Sequence, residues 1–336
     1  MTTLILSHRS ALAYWRQAEA PATSELLDTQ TAIEKLGEAE GAARLGEIRR
    51  MLCDTERLWL KTPMDLLSRS RNDRRVTSLT HIHCMQTVPP AGAFAYLANN
   101  ETPKADKPEL LASTPEFCFV QLASTLEIWD LIELGYELCG NYSAAQEPGG
   151  KHVSGKPVST PQKLLDFALS ASGMTGAKRA RSAARWIVEN ASSPDEARIC
   201  MLAHLPRSLG GMGSKAPMLG QHIPAPEAVT RILGSRMCSP DLYWPDAGVA
   251  VEYDARAWPS SMTRNEYESR KRNAYRMMGI MLVCVSGDDL SRPQTTRARF
   301  DLVNRKCGRR LQAPNARQRQ RQESLIAWLG QRGQAQ

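Results

Sequence analysis

The sequence predicts a mixed α/β protein of two domains. Its 336 residues exceed the size at which a single hydrophobic core usually stops growing. Strand-like alternation and helix-like periodicity both recur along the chain, and a polar segment rich in Pro, Gly and Ser, residues 145–160, interrupts them near the middle. We therefore expect domains at 1–144 and 161–312, a linker at 145–160, and a basic, Gln-rich tail at 313–336 that forms one short helix with a frayed end.

Composition argues against a disordered chain and against a membrane protein. Apolar residues make up 42% of the chain and charged residues 23%, which are ordinary values for a folded protein. No apolar run approaches the roughly 18 residues of a membrane helix, and the N-terminal segment lacks the hydrophobic stretch of a secretory signal. The eight cysteines stand singly, without a CxxC pair. We expect a cytoplasmic protein with no membrane partner.

The charge is distributed unevenly along the chain. Residues 1–150 contain 14 Lys and Arg against 20 Asp and Glu, whereas residues 151–336 contain 29 against 15. A basic excess of that size favours binding to phosphates, so DNA is the expected partner, with a homodimer left open. Lys178, Arg179 and Arg181 lie in a predicted helix and are candidate DNA contacts, although a solvated helix face explains them equally well.

The first domain is expected to contain strands and a long helix. The alternating segments VTSLTHIHCMQTV and AGAFAYLAN predict strands. His81 and His83 would share one strand face, and a hydrogen-bonded pair is the favoured interpretation over a metal site, because a third ligand is not apparent. Thr114 as N-cap and Pro115 in the first turn begin a helix that we expect to continue to Gly140.

In the second domain, Ser193 and Glu196 form a capping box that begins a helix. Further along, SPDLYWPDAGVAVEYDARAW predicts a β-hairpin. A symmetric turn at 245–248 places Asp241 opposite Glu252. Directly opposed carboxylates destabilise a hairpin unless something compensates their charge.

Three compensations are open for these acids, which share their face with Asp254. A divalent cation can lie between them, one carboxyl can have a raised pKa, or a nearby Arg can neutralise them. Carboxylate ligation suits Mg²⁺ or Mn²⁺ rather than zinc. Alternatively, the hairpin edge faces water and the acids repel at a distance.

The second half resembles the PD-(D/E)XK nucleases, in particular the branch of very-short-patch-repair-like endonucleases. PD at 240–241 stands ten residues before EYD at 252–254, as in the signature of that superfamily. The segments SPDEARICMLAHL and RKRNAYRMMGIMLVCVSGDDL resemble its first helix and its later helix and strand, so the resemblance covers about 192–290. It implies a restriction-endonuclease-like domain with a central mixed sheet flanked by helices.

The resemblance also implies a metal-dependent hydrolysis of phosphodiester bonds in DNA, in repair or defence. Asp241 and Glu252 would bind Mg²⁺ or Mn²⁺, and Glu196 would complete or orient the site. Two residues depart from the pattern: Asp254 replaces the usual Lys, and Trp258 stands where this branch has a His. A general acid or base is therefore in doubt, and a catalytically inactive DNA-binding regulator is the alternative function.

A cation from the next predicted helix can replace the missing Lys. Lys271, flanked by Arg270 and Arg272, is the candidate catalytic residue there, and the two arginines are candidate DNA contacts. The competing interpretation is that Glu266 with Arg270, and Glu268 with Arg272, are ordinary surface ion pairs at a spacing of four residues.

The first half resembles AbiEi-type antitoxins and related regulators. The segments ILSHRSALAYWR and LLASTPEFCFVQLA carry this resemblance, which covers about residues 4–140. It implies a regulator-like α+β domain with a winged-helix-like unit. A third hypothesis is a protein-interaction module whose acidic first half binds its own basic half.

Overall fold

The structure is a computed structural model that describes residues 3–17, 25–39, 61–97, 109–146, 152–254, 264–310 and 312–334. The chain divides into two compact units, Met1–Ile187 and Val188–Gln336. Both units contain helices and strands, which confirms the mixed α/β class. None of the described helices is long and apolar enough to cross a membrane.

The first unit is built on a six-stranded sheet with the spatial order β3-β4-β2-β1-β6-β5. Parallel pairing joins β1 to β6 and β2 to β4, and the other neighbours are antiparallel. Alternation of apolar residues along these strands fills a core with Leu, Ile and Met side chains. The strands are β1 (Thr3–Leu6), β2 (Met64–Ser68), β3 (Arg75–Val76), β4 (Thr80–Cys84), β5 (Phe94–Tyr96) and β6 (Glu109–Ser113).

Helices and a two-stranded hairpin complete the first unit. Thr114, as predicted, and Thr160 cap two of the helices, and each is followed by a proline in the first turn. The elements are α1 (His8–Trp15), α2 (Thr29–Glu38), α3 (Pro115–Leu122), α4 (Ile128–Leu138), β7 (Tyr142–Gln146), β8 (His152–Ser154), α5 (Pro161–Ser170) and α6 (Ala177–Ala184).

The long helix expected from Thr114 to Gly140 is two helices, α3 and α4. The helix stops after Leu122, where the hydroxyls of Ser124 and Thr125 donate to the carbonyl oxygens of Gln121 and Leu122. Serine and threonine hydroxyls in such positions compete with the helical hydrogen-bond ladder. The apolar pattern continues across the break because α3 is buried on almost all sides and α4 also buries most of its residues.

The polar segment at 145–160 lies inside the first unit. Strand β7 ends within this segment and β8 lies within it, and the two strands pair antiparallel. Helix α5 packs on α3 through the rings of Phe117 and Phe167, whose centroids are 5.7 Å apart. The boundary between the units follows Ile187 instead. Candidate DNA contacts Lys178, Arg179 and Arg181 on α6 therefore belong to the first unit.

The second unit has a three-stranded sheet in the order β11-β12-β13, antiparallel and then parallel. A parallel connection needs a crossover, and α9 supplies it. The elements are α7 (Pro194–His204), β9 (Ile223–Pro224), α8 (Glu227–Leu233), β10 (Met237–Cys238), β11 (Leu242–Trp244), β12 (Val249–Asp254), α9 (Arg264–Met277), β13 (Met281–Ser286), α10 (Gly287–Leu290), α11 (Pro293–Lys306) and α12 (Ala316–Gln334).

The C-terminal segment is a long helix and part of the core, where the sequence suggested a short helix and a frayed end. Helix α12 spans 19 residues. Its Leu325, Ile326 and Leu329 are buried, and Gln322 is buried with them. Because these side chains are spaced three or four residues apart, they share one face of α12. This short, largely apolar face packs the otherwise polar helix against the rest of the second unit.

Candidate functional site

The predicted hairpin is present, and its register is the predicted one. Trp244 pairs with Val249 across the turn, and the ladder continues to the pair of Leu242 and Val251. The next position outward would pair Asp241 with Glu252, but β11 begins only at Leu242. The two acids are thus at the same end of the hairpin, while Asp241 lies just outside the ladder.

Asp241 is tied to the second strand by a backbone hydrogen bond. Its Oδ2 accepts from the N–H of Tyr253 at 2.6 Å, and no described residue donates to its Oδ1. Burial, opposed in part by this hydrogen bond, raises the pKa of Asp241 to about 7, and the charges of Glu196 and Glu252 add to the rise. Asp241 is therefore an acid whose ionised form costs free energy at neutral pH.

Glu252 lies on β12 under α9, where each of its two carboxylate oxygens accepts one hydrogen bond. Lys271 Nζ donates to Oε2 at 2.5 Å, and the Tyr275 hydroxyl donates to Oε1 at 2.9 Å. Burial and the charge of Glu252 raise the pKa of Tyr275, so its hydroxyl stays protonated and remains a donor. Glu252 on this face of the hairpin is thus covered by a helix, in contrast to the alternative in which the hairpin edge faces water.

One of the three compensations considered for the opposed acids is present, and a lysine takes the place of the arginine considered for another. Asp241 has a raised pKa, and a cation neutralises Glu252, although the cation is Lys271 and not an arginine. Lys271 and Tyr275 are four residues apart and so share one face of α9. Sequence reasoning missed Tyr275, although this spacing from Lys271 was available as a signal.

Glu196 is positioned by the start of α7. Ser193 accepts the hydrogen bond of the Glu196 N–H, as the capping box predicts. The Glu196 carboxylate, however, accepts from the N–H groups of Ser192 and Gly220, at 2.6 and 3.1 Å. Burial raises its pKa. Glu196 acts on Asp241 through its charge, and its oxygens hold two backbone segments together.

The remaining predicted residues are divided between surface positions and positions outside the description. Arg270 and Arg272 are exposed on α9, and Arg272 pairs with Glu268 four residues earlier at 2.5 Å, as the surface-pair interpretation predicts. Trp258 lies outside the described residues, as does the side chain of Asp254.

A group of side chains that can hold a metal ion occurs in the first unit. Among the described residues, Asp65, His81 and His83 bring three potential ligand atoms within 4.8 Å of one another. The sequence suggested the two histidines as a hydrogen-bonded pair and missed Asp65. The aspartate comes from another strand, β2, and nothing in a single sequence gives the register between β2 and β4.

Comparisons with protein-family models, with curated proteins and with solved structures gave no match. Inferences about fold and function therefore depend on the sequence and geometry of this chain alone. Asp241, Glu252 and Lys271 form the strongest constellation among the predicted site residues, and we call these three side chains the acid–lysine cluster. They combine two carboxylates with a cation at the end of one hairpin.

Proposed function

We propose that the second unit is a nuclease-like domain that hydrolyses phosphodiester bonds of DNA with the help of Mg²⁺ or Mn²⁺. The observation that carries the proposal is the acid–lysine cluster. Asp241 and Glu252 lie at the same end of a hairpin, and Lys271 reaches Glu252 from the crossover helix. The missing Lys of the strand motif is thereby replaced by a lysine from α9.

The order of elements supports a restriction-endonuclease-like arrangement. Helix α7 carries Glu196, the hairpin of β11 and β12 carries the two other acids, and α9 leads to β13, which runs parallel to β12. This is the order helix, strands, helix, strand that the resemblance implies. The sheet is mixed and helices precede, cross and follow it.

Charge supports a nucleic-acid substrate for this unit. Residues 188–336 contain 22 Lys and Arg against 14 Asp and Glu, whereas residues 1–187 contain 21 of each, so the net charge of +8 belongs to the second unit. Cations on one unit bind phosphates and release counterions. Exposed cations are concentrated at the end of α11, in the following loop and at the start of α12: Arg305, Lys306, Arg309, Arg310, Arg317 and Arg319.

The oxygen donors of the two acids are of the chemical type that a hard divalent cation prefers. Asp241 offers Oδ1, to which no described residue donates, and Glu252 keeps further lone pairs on oxygens that accept one hydrogen bond each. A bound Mg²⁺ or Mn²⁺ lowers the pKa of a water molecule and stabilises negative charge on phosphate oxygens. Asp241 and Glu252 would hold the ion, and Lys271 would orient Glu252 and attract the phosphate.

A second candidate function is a DNA-binding regulator without catalysis. The observation that favours it is the engagement of both Glu252 oxygens by Lys271 and Tyr275, which compensates the carboxylate without an ion. In this alternative the regulator-like first unit, with its AbiEi-like segments, determines the biological role. The second unit then binds phosphates through its positive charge alone.

Cleavage and binding must be measured separately to decide between the two functions. Purified full-length protein is incubated with supercoiled plasmid and Mg²⁺ or Mn²⁺, and its DNA affinity is measured by fluorescence anisotropy at low and high salt. We expect nicking that is abolished by Glu252→Gln and by Lys271→Met. The exposed Asp246, in the turn of the same hairpin, provides the matched control Asp246→Asn, which should cleave normally.

Three other results would contradict the nuclease proposal. Equal cleavage by all variants would indicate a contaminating nuclease. Salt-sensitive DNA binding without cleavage under either metal would establish the regulator instead. Absence of DNA binding at low salt would exclude both functions and favour a protein-interaction module.

A further inference from the structure

Asp65, His81 and His83, which we call the histidine–aspartate group, lie on one face of the first unit's sheet. Asp65 on β2 is the direct neighbour of His81 on the parallel strand β4. His83 follows His81 by two residues and so points to the same face. The arrangement is independent of the acid–lysine cluster, because it belongs to the other unit.

The distances in this group suit a small cation. Asp65 Oδ1 lies 2.8 Å from His83 Nε2, with which it forms a hydrogen bond in the absence of an ion, and 3.3 Å from His81 Nδ1. Two ligands of a tetrahedral transition metal are roughly 3.4 Å apart, since each lies about 2.0–2.1 Å from the ion. Small side-chain rotations would therefore let the three atoms surround one ion.

The carboxylate is held by groups other than the histidines. Asp65 is buried, and its Oδ2 accepts from the backbone N–H of Arg9 at 3.2 Å. The backbone N–H of Asp65 donates to the Ser10 hydroxyl at 2.9 Å. Such outer contacts fix the orientation of a metal ligand. They also leave Oδ1 directed at the two imidazoles.

A third imidazole confines the group on one side. The ring of His8 stacks on that of His83 with centroids 3.7 Å apart. His8 has a φ of 45°, a left-handed conformation that is costly for a residue other than glycine. The backbone is therefore strained at His8, whose ring packs against that of His83.

A cavity gives an ion in this position access to solvent and to a ligand. Its volume is about 720 Å³, and its lining includes His81 and His83 together with Arg71 and Arg74. A structural ion is usually enclosed by four protein ligands, whereas a catalytic ion keeps an open position. Three protein ligands beside a cavity correspond to the second case.

We propose that the histidine–aspartate group binds one divalent transition-metal ion, of the class of Zn²⁺ or Fe²⁺, with an open coordination position that faces the cavity. Imidazole ligands select such ions over Mg²⁺ and Ca²⁺, which prefer oxygen. The pattern of two histidines and one carboxylate occurs in zinc hydrolases and in iron oxygenases. The arginines suit a small anionic ligand.

The test measures metal binding directly. Chelator-treated full-length protein is titrated with Zn²⁺ by calorimetry in excess Mg²⁺, which saturates sites made of oxygen ligands. We expect one Zn²⁺ per chain, bound at least tenfold more weakly by His81→Gln, while the control His222→Gln, an exposed histidine of the other unit, leaves the affinity unchanged. His81 is partly exposed, so its replacement should preserve the fold, which circular dichroism checks.

Footprinting tests the proposal on the wild-type protein, without any substitution. Diethyl pyrocarbonate modifies accessible imidazoles, and mass spectrometry locates the products. Zn²⁺ should protect His81 and His83 and leave His222 reactive. The proposal is overturned if Zn²⁺ does not bind at micromolar concentration, if protection does not include His81 and His83, or if Asp241→Asn removes the zinc site while His81→Gln retains it.

The open coordination position is tested with Co²⁺ in place of Zn²⁺. Addition of azide to the Co²⁺-loaded protein should change its visible spectrum, and an unchanged spectrum would contradict an open position.

Discussion

The buried Asp241 carboxylate should destabilise the folded second unit at neutral pH, although the proposed metal site requires this residue. Burial raises its pKa from 3.8 to about 7, which corresponds to about 4 kcal/mol at 1.36 kcal/mol per pKa unit. Because the side chain is partly exposed, solvent screening reduces the cost, and we expect Asp241→Asn to stabilise the metal-free second unit by about 1–2 kcal/mol at pH 8. An asparagine oxygen can still accept the hydrogen bond from the Tyr253 N–H.

The pH dependence has a definite sign. A carboxyl with a raised pKa in the folded state binds a proton more tightly there than in the unfolded chain. Its contribution to stability is fully present below the unfolded pKa, declines as the pH rises from 3.8, and is lost once the pH has passed about 7. The advantage of Asp241→Asn should therefore be small near pH 4 and should reach its maximum near pH 8.

Calorimetry and hydrogen exchange can measure this difference in EDTA. We expect the midpoint of the second unit to rise by roughly 2–6 °C at pH 8, with slower exchange in peptides from β11 and β12. Asp246→Asn is the matched control and should change little, because Asp246 is exposed. The reasoning is refuted if Asp241→Asn is no more stable than wild type at pH 8, or if its advantage does not depend on pH.

Three further substitutions test the packing of the two units. Leu325→Ala in α12 should lower the free energy of unfolding of the second unit by about 2–4 kcal/mol in urea titrations, whereas Leu302→Ala, at an exposed site, should cost little. Arg16→Met removes both hydrogen bonds to the buried Glu137 carboxylate and should cost about 1–3 kcal/mol, with faster exchange in α1. Ser193→Ala removes the N-cap of α7 and should cost about 1 kcal/mol, measured by thermal unfolding.

Local features of the fold could be predicted from the sequence. The hairpin register followed from the alternation on both sides of the turn 245–248, and the pair of Trp244 and Val249 confirms it. The capped starts at Thr114, Thr160 and Ser193 were likewise predictable. In each case the interacting groups are within a few residues of each other, so the sequence itself contains the geometry.

Long-range features could not be predicted in this way. The contact between Lys271 and Glu252 depends on the rotation of α9 above the sheet, and sequence spacing restricts that rotation only loosely. Asp65 joins His81 and His83 because β2 and β4 are parallel neighbours, a pairing that requires the whole sheet order. The core role of Leu325 depends on partners elsewhere in the second unit.

The two acids of the hairpin differ in a way that argues for function at Asp241. The Glu252 carboxylate interacts with the Lys271 ammonium and the Tyr275 hydroxyl. These two partners offset the cost of burying it. Asp241 accepts one backbone hydrogen bond and keeps a strongly raised pKa. Selection for stability alone would replace such a residue with a neutral one, and uncompensated groups persist mainly where activity requires them. A ligand that needs the ionised form, such as a divalent cation, would offset the cost of keeping an aspartate there.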